Sequence, residues 1–282
     1  VNLAPADTKK DGPVYDLPIA IGILSASDQV KIEATKDYIM FGELGLDGGV
    51  RKINGVLPIL ISARLDGYKK VIIPKENCTE ASFIEGMEIY GVETLKQAVD
   101  FLNGEIEIKP TQHSDFEDMR KKKKKALDFK YVRGQAQAKR ALEIAAAGGH
   151  NVLMIGPPGS GKTMLAKCFP SILPELTFEE ALEVTKIHSI AGVLDSKEGI
   201  VVSRPIRSPH HTSTMLALTG GGRLAKPGEI SLAHTGVLFL DEMPEYNRNS
   251  LETLRQPLED GVITISRVEN TVEYPANFTL IA

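Results

Sequence analysis

Apolar positions in the first hundred residues occur in short runs separated by glycine and proline. One run has the length of a helix, a second follows a turn and ends at a glycine, and a third is a compact strand closed by a proline. The predicted elements are helices within 17–26, 50–67 and 92–105 and a buried strand at 69–74. Together they predict an α+β domain over residues 1–108.

Residues 109–127 are polar and charged, which indicates a linker. The lysine run at 121–125 offers two interpretations. It is able to attract a polyanion, but a short lysine run in a linker is more often a solvated segment with no ligand.

The pattern changes at Asp128, where we expect a second domain over 128–282. A helix is predicted over about 135–147, ending at Gly148-Gly149. A continuous apolar run at 151–155 predicts a strand, and a new helix is predicted to open at Lys162. Strand, glycine-rich loop and helix in immediate succession are typical of an α/β sheet with its ligand site at the strand end.

The loop between that strand and helix reads GPPGSGKT, which matches the phosphate-binding pattern GxxxxGK[ST]. Its glycines let several backbone N–H groups turn toward a phosphate, and the helix N-terminus adds a favourable dipole. We expect Lys162 to contact the β- and γ-phosphates of ATP and Thr163 to ligate Mg²⁺. The predicted nucleotide-binding residues are Gly156, Pro157, Pro158, Gly159, Ser160, Gly161, Lys162, Thr163 and Met164.

A second apolar run, Val237–Leu240, is followed directly by two carboxylates. Such a run predicts a buried parallel strand with Asp241 and Glu242 at its carboxyl end. We expect Asp241 to hold Mg²⁺ and Glu242 to act as the general base on the attacking water. Because strands often end in acidic residues, a purely structural role stays open for both.

The overall charge limits the partners that this chain attracts. The formal net charge is −4, so a global basic field for nucleic acid is absent and any DNA contact has to be local. Cys78 and Cys168 show neither metal-ligand nor disulfide spacing, which fits a reducing compartment. With no signal peptide and no apolar run of about 20 residues, we expect a cytoplasmic protein without a membrane partner.

The longest informative stretches are 204–246 and 249–267, preceded by VRGQAQAKRALEIAAAGGHN from Val132. They resemble the magnesium-chelatase-like AAA+ family that includes ComM and YifB. The resemblance implies a Lon-protease- or ribosomal-S5-like domain followed by an AAA+ core with a parallel sheet and helices on both faces. It also implies a homo-oligomeric, hexameric ring with ATP between subunits. On this pattern we expect a fragment cut at both ends, lacking N-terminal strands, the sensor asparagine and the C-terminal lid.

The resemblance to Lon-type domains raises the question of peptidase activity. Lon-like peptidases use a serine after Asp-Gly-Pro and a lysine after a glycine pair. The corresponding positions here hold Val14 and Leu57, which serve neither as nucleophile nor as base. We therefore expect a scaffold or adaptor domain, no peptidase activity and no peptide substrate.

Two segments are candidates for DNA contact. The first is the glycine-rich basic loop 220–228, with Arg223 and Lys226, and we expect it to be flexible. The second is 261–278, which alternates like a hairpin and carries Arg267 near its tip. For each segment, an ordinary surface turn is the competing interpretation.

Two further segments carry residue patterns that bear on chemistry or packing. Arg204, Arg207, His210 and His211 form a compact polar cluster, for which a subunit contact, nucleotide sensing or plain packing is more typical than a metal site. The segment 249–261 predicts a core helix carrying leucines 251, 254 and 258, bent at Pro257.

The function we expect is Mg²⁺-dependent ATP hydrolysis that powers a ring acting on branched or single-stranded DNA, as in branch migration or natural transformation. An alternative is an ATPase motor that remodels a metal-chelatase or another partner protein. A third is a nucleotide-dependent scaffold with negligible turnover. Fold alone does not choose among them.

Overall fold

The computed structural model describes residues 12–123, 127–195, 197–222, 224–266 and 271–282. Within these ranges, no helix is long and apolar enough to cross a membrane.

Residue contacts divide the chain into two compact units. Unit 1 holds the residues up to Asp118 together with Leu194–Ile200. Unit 2 holds Met119–Val193 and Val201–Ala282. The domain boundaries predicted from the sequence, after residues 108 and 127, stay predictions.

Unit 1 is built on a three-stranded parallel sheet of order β1-β4-β5. Its central strand carries Val71, Ile72 and Ile73, all fully buried, as expected when both faces of a parallel strand are covered. The elements are α1 (Asp16–Ala26), α2 (Ile32–Thr35), β1 (Tyr38–Met40), β2 (Glu43–Leu44), β3 (Val50–Arg51), α3 (Val56–Leu65), β4 (Lys70–Pro74), α4 (Cys78–Ala81), β5 (Glu88–Val92), α5 (Leu95–Leu102) and α6 (Phe116–Lys122), which continues past Asp118.

The helices and the strand predicted in this region are confirmed as α1, α3, α5 and β4. The chain leaves α3 through Gly67, whose φ of +92° is a conformation that suits glycine. Thr94 caps α5 by accepting a hydrogen bond from the Gln97 amide at 3.1 Å. Leu57 lies on α3 with 1% of its surface exposed, so it is a core residue of unit 1.

Unit 2 contains a second parallel sheet. β12 pairs with β9, and β9 pairs with β6, all in parallel. Val152 adds a parallel bridge to the outer side of β12. The elements are α7 (Ala136–Gly148), α8 (Lys162–Cys168), α9 (Phe178–Ala191), β6 (Ile206–Arg207), α10 (Met215–Thr219), β7 (Gly220–Gly221), β8 (Lys226–Pro227), α11 (Glu229–Leu232), β9 (Val237–Phe239), α12 (Arg248–Glu252), α13 (Arg255–Asp260), β10 (Val262–Ser266), β11 (Thr271–Pro275) and β12 (Thr279–Ile281).

Alternate residues of β9 enter two different cores. Val237 and Phe239 pack with α7 and α8 on one face. Leu238 and Leu240 pack with α10, α11 and the β10–β11 hairpin on the other. Since successive side chains of a strand point to opposite faces, a continuously apolar strand requires cover on both sides. The predicted α/β architecture is confirmed, and this packing places the end of β9 beside the start of α8.

The strand predicted at 151–155 is only partly formed. The Val152 amide donates to Leu280 O at 2.8 Å, and the Ala282 amide donates to Val152 O at 3.0 Å. The alternate side chains, Leu153 and Ile155, are 67% and 91% exposed. The run is therefore paired along one edge at Val152, and one of its two faces is exposed.

Two other segments also differ from expectation. The loop predicted to be flexible contains a short antiparallel ribbon, in which Gly220–Gly221 pairs with Lys226–Pro227 and a Cβ on Gly220 would lie 2.3 Å from Lys226 O. The segment 249–261 is broken into α12 and α13 rather than bent at Pro257. The break falls at Thr253, the residue whose carbonyl a proline four positions later would meet in a continuous helix.

A glycine before β9 provides a stability prediction. A Cβ on Gly236 would lie 2.0 Å from Pro205 O, a backbone atom that cannot turn aside as the end of a flexible side chain can. We expect Gly236→Ala to lower the free energy of unfolding of unit 2 by about 3 kcal/mol, near the upper end of overpacking costs. Denaturant unfolding followed by circular dichroism measures this change. In Gly22→Ala, where the new Cβ meets nothing within 4 Å inside α1, stability should rise slightly. Equal behaviour of the two variants would contradict the steric argument.

Candidate functional site

The phosphate loop, residues 156–163, connects the strand-like run 151–155 to α8. Gly159 and Gly161 have φ of +76° and +88°, which side chains rarely adopt, and a Cβ on either would meet no atom within 4 Å. These glycines therefore serve the bend of the backbone rather than close packing. The last two residues of the loop, Lys162 and Thr163, begin α8, so the loop leads directly into a helix N-terminus.

Lys162 lies folded over the loop that precedes it. Its Nζ donates hydrogen bonds to Gly156 O at 2.7 Å and to Pro157 O at 3.1 Å. The ammonium is thus held at the loop by two neutral acceptors. The oxygens of a phosphate bound at this loop would be charged and therefore stronger acceptors. Replacing the two carbonyl partners of Lys162 with phosphate oxygens would then be favourable.

Thr163 and Asp241 are brought together from two elements that lie 78 residues apart. The Thr163 hydroxyl donates to Asp241 Oδ2 at 2.9 Å. A hydroxyl and a carboxylate beside a phosphate site are the hard oxygen ligands that Mg²⁺ prefers. This pair fits the metal that the sequence predicts.

Glu242 follows Asp241 in a left-handed backbone conformation with φ of +54°. Non-glycine residues seldom adopt it, and such strain concentrates at functional sites. The Glu242 side chain is 70% exposed, and its Oε2 lies 3.8 Å from His211 Nδ1. The carboxylate is thus held open to solvent next to the Thr163–Asp241 pair.

Gln135 was missed by the sequence analysis. Its side-chain amide donates to Ser160 O, in the middle of the phosphate loop, at 3.0 Å. The residue precedes α7 directly and has a left-handed φ of +53°. A glutamine after Gly134 at a helix start carries no local pattern that indicates a contact 25 residues away.

The arginines of the polar cluster are structural. Arg204 is largely buried and donates to Pro174 O, Thr235 O and the Glu180 carboxylate, at 2.5, 2.7 and 3.1 Å. Arg207 forms a two-point ion pair with Glu229 at 2.6 and 2.7 Å. For these two side chains, the packing interpretation has direct support.

The histidines of the cluster lie closer to the site. The His210 and His211 rings stack with centroids 4.1 Å apart. In the ranges that the structure describes, no group of three or more His, Cys, Asp or Glu side chains is arranged to hold a metal ion. Nearby, Tyr246 donates to Pro209 O at 2.5 Å, and burial together with the Asp241 charge raises the pKa of its phenol.

Of the three DNA-contact candidates, Lys226 lies in the described part of the chain, exposed on β8. Arg223 and Arg267 lie outside the described residues. The hairpin predicted at 261–278 is confirmed as β10 and β11. Tyr274 of this hairpin donates to Ala225 O of the ribbon at 2.9 Å, so the two candidate segments are neighbours.

Comparison with known proteins identifies the family of this chain. A family model described as "Magnesium chelatase, subunit ChlI" matches residues 128–282, and another, "Subunit ChlI of Mg-chelatase", matches residues 1–77. The chain is 46% identical to "Competence protein ComM" of Haemophilus influenzae over 284 residues, covering 100% of this chain and 55% of that protein. It is 44% identical to "Uncharacterized protein YifB" of Escherichia coli, covering 100% of this chain and 54% of that protein.

Among solved structures, a cryo-EM-based complex of subunits BchI and BchD of magnesium chelatase is similar. The identity is 22%, the TM-score is 0.43, and 55% of this chain and 53% of that chain are covered. At that score the likeness adds nothing to the assignment. The chain spans about half the length of the curated relatives that it matches. The phosphate loop, the carboxylates after β9 and the match over residues 128–282 lead to one assignment: this chain belongs to the magnesium chelatase ChlI family of AAA+ ATPases and is ComM- and YifB-like.

Proposed function

We propose that this chain binds ATP with Mg²⁺ at the phosphate loop and hydrolyses it as part of a hexameric ring that acts on DNA in the cytoplasm. The observation that carries the ATPase part is the hydrogen bond between Thr163 and Asp241. It joins the phosphate loop to the acidic end of β9, which are the two halves that phosphoryl transfer to water requires.

The side chains divide the chemistry among them. Lys162 exchanges its contacts with Gly156 O and Pro157 O for phosphate oxygens and stabilises the charge that develops on them. Thr163 and Asp241 would hold Mg²⁺, which when bound would neutralise phosphate charge. Glu242 accepts a proton from the attacking water, as its exposed carboxylate allows.

The proposal that the ring acts on DNA rests on two neighbouring elements, a ribbon that carries a lysine and a β-hairpin. The ribbon carrying Lys226 and the β10–β11 hairpin share one core and the Tyr274–Ala225 hydrogen bond. In a ring, one exposed lysine per subunit is repeated around the axis, which allows an acidic chain to hold a polyanion. Arg223 and Arg267 stay sequence-based candidates for the same contact. Similarity to a competence protein over the whole chain supports DNA as the partner.

A second candidate function is favoured by the family itself. The matching family model is named for a magnesium chelatase subunit. A chain of this family is equally suited to drive a partner protein with the same ATP chemistry. The two proposals differ in what accelerates turnover.

Steady-state ATP hydrolysis with and without four-way-junction DNA, at two salt concentrations, separates these functions. We expect several-fold stimulation by DNA that weakens with salt, since phosphate contacts release counterions. Lys226→Ala should weaken junction binding by about threefold to tenfold and make the salt dependence shallower. Lys167→Ala, an exposed lysine at the end of α8, is the matched control and should change neither. Turnover indifferent to DNA would favour the partner-remodelling motor instead.

A further inference from the structure

The hydrogen bond from Gln135 to the phosphate loop reaches one particular peptide group. The acceptor is Ser160 O, and the peptide that contains this carbonyl also contains the Gly161 amide. A trans peptide is planar, and its C=O and N–H point in opposite directions. Whatever holds the Ser160 carbonyl on one side therefore directs the Gly161 N–H to the other.

The backbone conformation before α7 directs the Gln135 side chain toward the phosphate loop. Gly134 and Gln135 are consecutive left-handed residues, with φ of +67° and +53°. The left-handed conformation is unfavourable for Gln135, which carries a side chain, and it persists only where surrounding contacts enforce it. Lys139 supplies such contacts, since its amide donates to Gln135 O at 2.9 Å and its ammonium donates to Val132 O.

The same segment is anchored in the core beneath the loop. Phe129 and Val132 are buried against Leu165 and Ala166 of α8. The segment that carries Gln135 and the helix that follows the loop thus share one hydrophobic core. A side chain held in this way keeps the orientation of a loop that is otherwise rich in glycine.

We propose that Gln135 is a positioning residue for nucleotide phosphates, which holds the Ser160–Gly161 peptide so that the Gly161 amide faces the phosphate site. The inference rests on the proposed nucleotide site and deepens it. Through this contact the protein recognises the polyphosphate chain of the nucleotide and not its base. Loss of the contact should weaken ATP and inorganic pyrophosphate to the same extent.

The test measures affinities for ATP and inorganic pyrophosphate by displacement of a fluorescent ATP analogue. Gln135→Met keeps the length of the side chain and removes the donor. We expect affinities roughly threefold to tenfold weaker for both probes, the range of one net hydrogen bond. Gln137→Met, the same substitution two residues further along the exposed start of α7, should leave both unchanged.

A second pair of variants keeps the test decisive if the methionine variant is poorly folded. Gln135→Glu has the shape of glutamine but no donor, and Gln137→Glu adds the same charge close by. A larger loss in the first than in the second supports the inference. Unchanged pyrophosphate affinity in both Gln135 variants, while Lys162→Ala loses it, would overturn the inference and leave the nucleotide site standing. Absence of ATP binding by the unaltered protein would instead overturn the proposed function together with this contact.

Discussion

Glu242→Gln should lower the rate of ATP hydrolysis by about 100-fold or more, the contribution typical of a general base. Glutamine has the size of glutamate but accepts no proton from water. The substitution should leave ATP affinity within about threefold, because the Glu242 side chain is exposed beside Thr163 and Asp241 rather than part of the phosphate loop. Single-turnover hydrolysis and equilibrium titration with ATP measure the two quantities separately.

Glu245→Gln is the matched control for this prediction. Glu245 is an exposed carboxylate on the same short turn after β9, and its amide donates to Glu242 O at 2.8 Å. Its substitution removes one negative charge at nearly the same place and should change turnover by less than about twofold, as expected for a charge outside the reacting groups. Comparable losses in the two variants would mean that charge near the site, and not proton transfer by Glu242, controls the rate.

Lys162→Ala should weaken ATP binding by roughly 100-fold. The estimate follows from two charge-assisted hydrogen bonds to phosphate, each with a net value of about 1.5–3 kcal/mol, reduced because the loop lies open to solvent. The ammonium already contacts Gly156 O and Pro157 O at 2.7 and 3.1 Å, so it reaches the site without rearrangement of α8. Isothermal titration with ATP in the presence of Mg²⁺ gives the affinity.

Lys167→Ala removes the same charge at the other end of α8. That side chain is exposed and lies in the last turn of the helix, five residues after Lys162. We expect its ATP affinity to equal that of the unaltered protein. If Lys162→Ala bound ATP as tightly as Lys167→Ala, the assignment of residues 156–163 as the phosphate site would be wrong.

The elements of the fold that rest on local pattern could be predicted closely. The strand β4, the helices α3, α5 and α7 and the hairpin β10–β11 each have an apolar period and a terminating glycine, proline or turn within their own residues. The exposed side of 151–155 could not be predicted, because burial of Leu153 and Ile155 depends on what packs against the sheet edge. The ribbon formed by β7 and β8 could not be predicted either, since its glycines fit a close backbone approach as well as a flexible loop.

The site shows the same division between local and tertiary information. By itself, the sequence determined the phosphate-loop pattern, the two acidic residues after an apolar strand and the family, because spacing along the chain encodes each of them. Only the tertiary structure decided that Thr163 bonds Asp241 and that Gln135 bonds the loop at Ser160. Those contacts depend on parallel strands ending at one edge of a sheet and on helices packed across its faces. Such distances are set by the folded core, which no short segment contains.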